Sequence, residues 1–282
     1  MSEEIPEAPI PALPDARRFE GQVAFITGAA RGQGRAFAER LAREGADIIA
    51  IDLAANLATT SYQTATADDL EETASIVESL GRRIVTAKAD VRDFDAVKAA
   101  VERGVDELGR LDVVIANAGM TNTANAWEIT PESWDETIGV NLTGAFHTAK
   151  AAIPVLIDQK QGGAITFISS VAGLIGLPFT ADYVAAKHGV TGLAKALANE
   201  LAPYRIRVNS VHPHGVNTAL KPGLRARLEE QPELWGLFFA GTMPVKWNEV
   251  EDMAAAVAWI SSYEARHVTG VQLPVDFGRT NR

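Results

Sequence analysis

Val23-Ala-Phe-Ile-Thr-Gly-Ala-Ala-Arg-Gly-Gln-Gly-Arg35 is the stretch that decides the fold. Val23 to Thr27 is a short apolar run rich in β-formers, which predicts a strand. Glycines follow at 28, 32 and 34. Arg35 to Arg43 reads as a helix ended by Gly45, and Ile48 to Asp52 as a second strand. Gly28 permits a sharp exit from the first strand. Gly32 and Gly34 let backbone approach a diphosphate and let the helix pack on the sheet. The helix N-terminus offers free N–H groups and positive potential. Glycines alone serve a plain tight turn equally well. The strand before and the helix after point instead to a nucleotide, with Arg31 and Gln33 inside the same turn.

Outward from this unit the alternation continues. Ile84 to Ala87, Val113 to Ala116, Ala164 to Ile168, Arg207 to Val211 and Val271 to Val275 are further buried-strand candidates. Helices are expected at Ala67–Leu80, Asp93–Leu108, Pro131–Ile157, Tyr183–Leu201 and Glu249–Ser262. Alternating strands and helices imply an α/β fold, a doubly wound parallel sheet covered on both faces. No linker splits the chain, so residues 19–282 form a single domain. Residues 1–18 read as a Pro-rich, acidic tail, either a loose leader or an arm across a neighbouring subunit.

Leu53 to Thr66 exceeds an ordinary strand-to-helix loop of roughly 2–6 residues. It is an insertion, starting where an adenosine ribose would lie. It is either a surface decoration or a flap over the bound nucleotide.

The 282 residues are 47% apolar and carry a net charge of −10 (26 basic, 36 acidic). That balance argues against a nucleic-acid surface and against anionic membranes. There is no cysteine, which excludes disulfides and thiolate chemistry and fits a cytoplasmic location. No run approaches the ~18 apolar residues of a membrane span. His147, His188 and His267 are scattered, so no metal site is expected.

Asp52 closes the second strand, 18 residues after Gly34, with Leu53 beside it. A carboxylate there accepts bonds from ribose hydroxyls and repels a 2′-phosphate, favouring NAD over NADP; Arg31 keeps NADP as the alternative. Asp90-Val91 and Asn117-Ala118-Gly119 end the third and fourth strands, where open α/β sheets form their ligand crevice. Asp90 suits the adenine amino group, and Gly119 allows close passage by a ribose. Tyr183 and Lys187, four apart on one helix face, pair a phenol with an ammonium that lowers its pKa. Such a phenol exchanges a proton with an alcohol. Ser170 ends the fifth strand, placed to hold the substrate oxygen. Asn141 lies mid-helix, a poor place for Asn, where its side chain or a bend holds a water for the proton path.

Thr27-Gly-Ala-Ala-Arg-Gly-Gln-Gly34, Asp90, Asn117-Ala-Gly119, Asn141, Ser170 and Tyr183-x-x-x-Lys187 together resemble the short-chain dehydrogenase/reductases, over about residues 19 to 277. The resemblance implies a seven-stranded Rossmann-type sheet of order 3-2-1-4-5-6-7. It implies Tyr183 as general acid/base, Lys187 as ribose ligand and pKa modulator, Ser170 as the oxygen-positioning group and Asn141 as holder of the proton relay. The insertion, with Tyr183-Val-Ala-Ala-Lys-His-Gly-Val190 and Arg207-Val-Asn-Ser-Val-His-Pro213, resembles the carveol-dehydrogenase-like, mycofactocin-coupled subgroup. That subgroup implies a tightly held NAD reoxidised in place by an external redox carrier. The chain departs from the family in reading His212-Pro213-His214-Gly215-Val216-Asn217-Thr218 where many members have Pro-Gly. Pro213, Val216 and Thr218 are still expected at the cofactor, Val216 through its backbone.

Residues 215–247 are expected to form a substrate lid. Trp235, Phe238 and Phe239, with His214 and Ser170, are its candidate pocket residues, and their apolar bulk suits a cyclic or terpenoid secondary alcohol or ketone. Two rivals are a silent NAD-binding sensor and an epimerase or dehydratase on the same fold. The retained Tyr183 and Lys187 weigh against the first. The short stretch after Val275 weighs against the second. The long Ala-rich helices, with the family resemblance, imply a homotetramer.

Overall fold

The computed structural model describes residues 17–217, 224–239, 241–245 and 247–281, without the side chains at 225, 226 and 239. The described strands are β1 Val23–Thr27, β2 Asp47–Asp52, β3 Ile84–Lys88, β4 Val113–Ala116, β5 Gly163–Ile168, β6 Ile206–Pro213 and β7 Gln272–Val275. They form one seven-stranded sheet of order β3-β2-β1-β4-β5-β6-β7, and each neighbouring pair is parallel. Strands with helices on both faces need no polar side, hence their near-continuous apolar runs.

Side chains still alternate between two cores. Phe25, Ile49, Val114 and Ile165 face α3 (Phe94–Leu108), α5 (Gly144–Gln159) and α6 (Ala181–Leu201). Ala24, Ile26, Ile48 and Ile115 face α1 (Gly32–Arg43), α2 (Ala67–Ser79) and α9 (Val250–Ser261). The strand order reverses between β1 and β4, which opens a crevice at the strands' carboxyl ends.

Three expectations are corrected. Arg18 belongs to the folded body, not to the tail: its guanidinium reaches Glu44 at 2.6 Å and Glu264 at 3.1 Å. Residues 1–16 of the tail lie outside the described residues. The helix expected over Pro131–Ile157 is α4 (Pro131–Ile138), then a π-helical turn Gly139–Thr143, then α5. The π turn shifts backbone pairing by one residue, and Asn141 Nδ2 takes up the Thr137 carbonyl at 2.9 Å. The first helix begins at Gly32, three residues before the expected Arg35, so the last glycines are its first turn.

Within residues 224–239, α7 (Leu224–Glu230) and α8 (Trp235–Phe239) are short. They pack a small apolar cluster of Phe179, Leu228 and Phe238, flanked by Leu177, Leu224, Leu234 and Trp235.

Candidate active site

The crevice begins at the glycine turn. Gly28 and Gly32 have φ of +66° and +56°, the left-handed region that side chains resist. A Cβ on Gly34 would collide with the Gly28 carbonyl. Carbonyls of the turn are drawn away from the crevice: Thr73 Oγ1 donates to Ala29 O and Ala30 O at 3.0 Å, and Arg35 donates to Ala30 O at 2.7 Å. Helix α1 opens on Arg31 with no side-chain cap and no acidic residue in its first turn. Its amide end is therefore left to an anion. Gln33 Oε1 is buried without a donor. Such an orphan acceptor is what a ribose hydroxyl or a held water would satisfy.

Thr27 ties this turn to the end of β4. Its Oγ1 accepts from Asn117 N and Ala118 N at 3.1 and 3.2 Å, while Asn117 Nδ2 donates to Thr27 O and Gly28 O. Asp52 is aimed by the amides of Ala30 (3.1 Å) and Ala54 (3.0 Å). Asp90 is gripped by Arg92, whose guanidinium and backbone N–H outweigh the burial penalty and hold the carboxyl below its usual range.

At the far end stand Tyr183 and Lys187. The Tyr183 phenol lies beside Ser170, which favours its ionised form, but burial outweighs this and pushes the phenol up to about 12. Lys187 is buried, its pKa lowered to about 8 by desolvation. Its Nζ donates to Ile168 O at 2.8 Å and lies 5.4 Å from the Tyr183 ring centre. The protein alone thus does not depress the Tyr183 pKa, contrary to expectation. Burial outweighs the Ser170 hydroxyl that favours the phenolate.

Asn141 is fully buried, with Nδ2 bonded to Met120 O and Thr137 O and Oδ1 accepting from Met120 N. Its side chain is spent on structure, tying the π turn to the Met120 backbone. Gly119 permits the close approach: a Cβ there would stand 2.9 Å from Asn141 Oδ1 and 3.6 Å from Lys187 Nζ.

Gly28, Arg31, Gly32, Gln33, Gly34, Asp52, Leu53, Asp90, Val91, Asn117, Ala118, Gly119, Asn141, Tyr183 and Lys187 line this one cleft. A family model described as short chain dehydrogenase matches residues 22–229. The chain belongs to the short-chain dehydrogenases. It is 44% identical, over 93% of its length and 99% of the other's, to (-)-trans-carveol dehydrogenase of Rhodococcus erythropolis. A short chain dehydrogenase from Mycobacterium paratuberculosis, solved bound to NAD, superimposes with a TM-score of 0.91 at 47% identity. That match covers 94% of this chain and all of the other (100%). Carveol dehydrogenase from Mycobacterium avium, solved in complex with NAD, gives 0.88 at 47% identity over 94% and 99%.

Other expected residues of this dehydrogenase lie apart from the cleft. Phe238 is buried in the small apolar cluster with Phe179 and Leu228, and Trp235 packs beside it. His214 meets Phe277 edge-on at 6.3 Å. Pro213 ends β6, paired with Val275. Val216 bridges Asn248 in parallel, using the Gly215 carbonyl and the Asn217 amide. That pattern leaves the N–H and C=O of Val216 itself unpaired among the described residues, as a backbone clasp requires. Thr218 and the Phe239 side chain lie outside the described residues. Among the described residues no cluster of His, Asp and Glu is arranged to hold a metal, and no helix is long and apolar enough to cross a membrane.

Sequence reasoning missed the residues that anchor the insertion and the serine. Glu136, on α4, accepts from Thr59 N (2.8 Å), Thr59 Oγ1 (2.6 Å) and Ala58 N (3.3 Å). Its other side meets Arg92 at 3.0 Å. Burial works against its charge, but these bonds hold its carboxyl below the usual range. Across the cleft, Arg31 donates to Gln63 O at 2.6 Å. Ala55, Leu57, Tyr62, Thr64 and Ala65 therefore form part of the cleft wall. A buried acid in a polar helix carries no sequence signal, whereas a tyrosine in a polar insertion does.

Behind Ser170, buried His212 donates from Nδ1 to the Ser170 carbonyl at 2.7 Å, so its Nε2 accepts from Ser210 Oγ at 2.8 Å. Burial lowers this imidazole to about 4, keeping it neutral in that role.

Glu136→Ala is expected to release the amides of Ala58 and Thr59. Bonds to a charged acceptor are worth about 1.5–3 kcal/mol, so their hydrogen exchange should accelerate about tenfold or more. Unchanged exchange at those amides would assign the anchoring to other contacts.

Proposed function

We propose that this dehydrogenase uses NAD to interconvert a cyclic or terpenoid secondary alcohol and its ketone. The observation that carries the reading is the meeting of Tyr183, with Ser170 beside it, and Lys187 at one end of a cleft whose other end is the glycine turn and Asp52. Likeness to carveol dehydrogenases, and to relatives solved with NAD, supports both the cofactor and the substrate class.

Bound NAD supplies the hydride acceptor or donor and, when oxidised, a positive charge. The chain's own residues do the rest. The amides of α1 and the glycine turn hold the diphosphate, Asp52 the adenosine ribose, Asp90 the adenine, and Val216 the carboxamide. Ser170 Oγ fixes the substrate oxygen. Tyr183 gives that oxygen a proton in reduction and takes one in oxidation. A phenol near 12 favours the donor role, and oxidation requires added positive charge beside it to free the proton. Lys187 supplies part of that charge and turns toward the nicotinamide ribose. The π turn at Asn141 holds the water through which Tyr183 exchanges protons with solvent. His214, Trp235, Phe238 and Phe239 belong to the lid that closes over an apolar substrate.

The anchored insertion makes NAD slow to leave, to be reoxidised in place by an external redox carrier. The enzyme acts in the cytoplasm as a homotetramer packed through its Ala-rich helices.

Purified enzyme is offered carveol, cyclohexanol and linear alcohols with and without added NAD and with an artificial electron acceptor, while absorbance near 340 nm is followed. Reduction by cyclic alcohols in preference to linear ones is expected. Dependence on the acceptor without added NAD marks a retained cofactor. Equal rates with linear alcohols would remove the cyclic substrate class, and steady turnover on free NAD alone would remove the carrier.

A further inference from the structure

Tyr62 is the only aromatic residue of the insertion. It is strung between the two anchors already described, Glu136 on Ala58 and Thr59 and Arg31 on Gln63. Its half-buried ring lines the same cleft as Gly34, Met120 and Tyr183. The Tyr62 hydroxyl accepts from Thr121 N at 3.4 Å. Thr121 follows directly on the Asn117–Met120 segment, beside Asn141 and Lys187. No acceptor for the Tyr62 proton lies among the described residues. A phenol fixed by one accepted bond, with its own donor unused and facing a cleft, is set to donate to what fills that cleft.

We propose that Tyr62 is a cofactor-contact residue: its O–H donates to an oxygen of the bound dinucleotide, in the diphosphate or nicotinamide ribose, while its ring covers that stretch. The inference rests on the reading of the cleft as an NAD site. Burial raises the Tyr62 pKa, so the phenol keeps its proton at working pH. Arg31, Glu136 and Tyr183 are the charged or titratable groups that sense it. Thr121 holds the hydroxyl in place before the ligand arrives, which limits the rotational freedom lost on binding.

The test compares full-length wild type, Tyr62→Phe and Tyr62→Ala, each stripped of nucleotide. Affinity and release rate are measured for NAD, ADP-ribose and ADP. Tyr62→Phe keeps the ring and loses only the donor; it should weaken NAD about fivefold or more, mostly through faster release. Tyr62→Ala, losing the ring as well, should weaken it about fiftyfold. A loss seen also with ADP places the bond on phosphate; a loss confined to NAD and ADP-ribose places it on the ribose. If Tyr62→Phe holds and releases NAD as wild type does, the proposal falls even though the NAD reading stands. If wild type itself binds no NAD, both fall. Should Tyr62→Ala fail to fold, the Phe variant decides alone.

Discussion

Tyr183→Phe is expected to lower kcat by roughly a thousandfold while leaving the affinity for NAD within about threefold. A positioned general acid or base contributes about 10²–10⁴-fold. The phenol is the group at this end of the cleft placed beside Ser170 to serve as one. Its ring stays in Phe, so the start of α6 and the packing around Lys187 are kept. NAD affinity depends on groups at the other end: the glycine turn, Asp52 and the α1 amides. Single-turnover hydride transfer with preloaded NAD is the measurement that isolates the step. Rates within tenfold of wild type would place the proton-transferring group elsewhere.

The second expectation concerns Lys187→Met, which should remove most turnover and yet stabilise the nucleotide-free protein. Burial lowers the lysine from 10.5 to about 8, a charge-burial cost of roughly 3 kcal/mol below pH 8. The bond to Ile168 O returns about 1 kcal/mol of this. Methionine fills the same space without either contribution, so a gain of about 2 kcal/mol, or roughly 5 °C in Tm, is expected at pH 7.

The sign follows from proton counting. Between about 8 and 10 the unfolded lysine is protonated and the folded one is not, so wild-type stability should rise with pH in that window. Above 10 the unfolded tyrosine loses its proton while half-buried Tyr183, held near 12, retains it, so the trend reverses. The Met variant should lack the rise. A variant that melts lower than wild type at pH 7 would mean that the ammonium is better compensated than its burial implies.

The parallel sheet and the glycine turn were legible because each strand and glycine obeys a local rule, whereas the strand order followed only from the family resemblance. A strand buried on both faces must be apolar, and a chain passing a phosphate must lack a side chain. Asn141 was conspicuous for the same kind of reason, an amide in a helix interior, although its side chain proved to stabilise the π turn. The residues left unread act over long sequence separations. Glu136 reaches Thr59 and Arg92, and His212 reaches Ser170; a pairing across 77 or 42 positions leaves no periodicity behind. The phenol's proton affinity was misjudged because spacing reports the neighbouring amine but not the dryness of the pocket.

The small apolar cluster of Phe179, Leu228 and Phe238 shares no member with the two cores that face the sheet. Exchanges among its aliphatic and aromatic residues should therefore leave the two layers that face the sheet undisturbed. If the proposed lid role holds, a directed library confined to those three positions and their flanks should diversify substrate preference at little loss of folded yield.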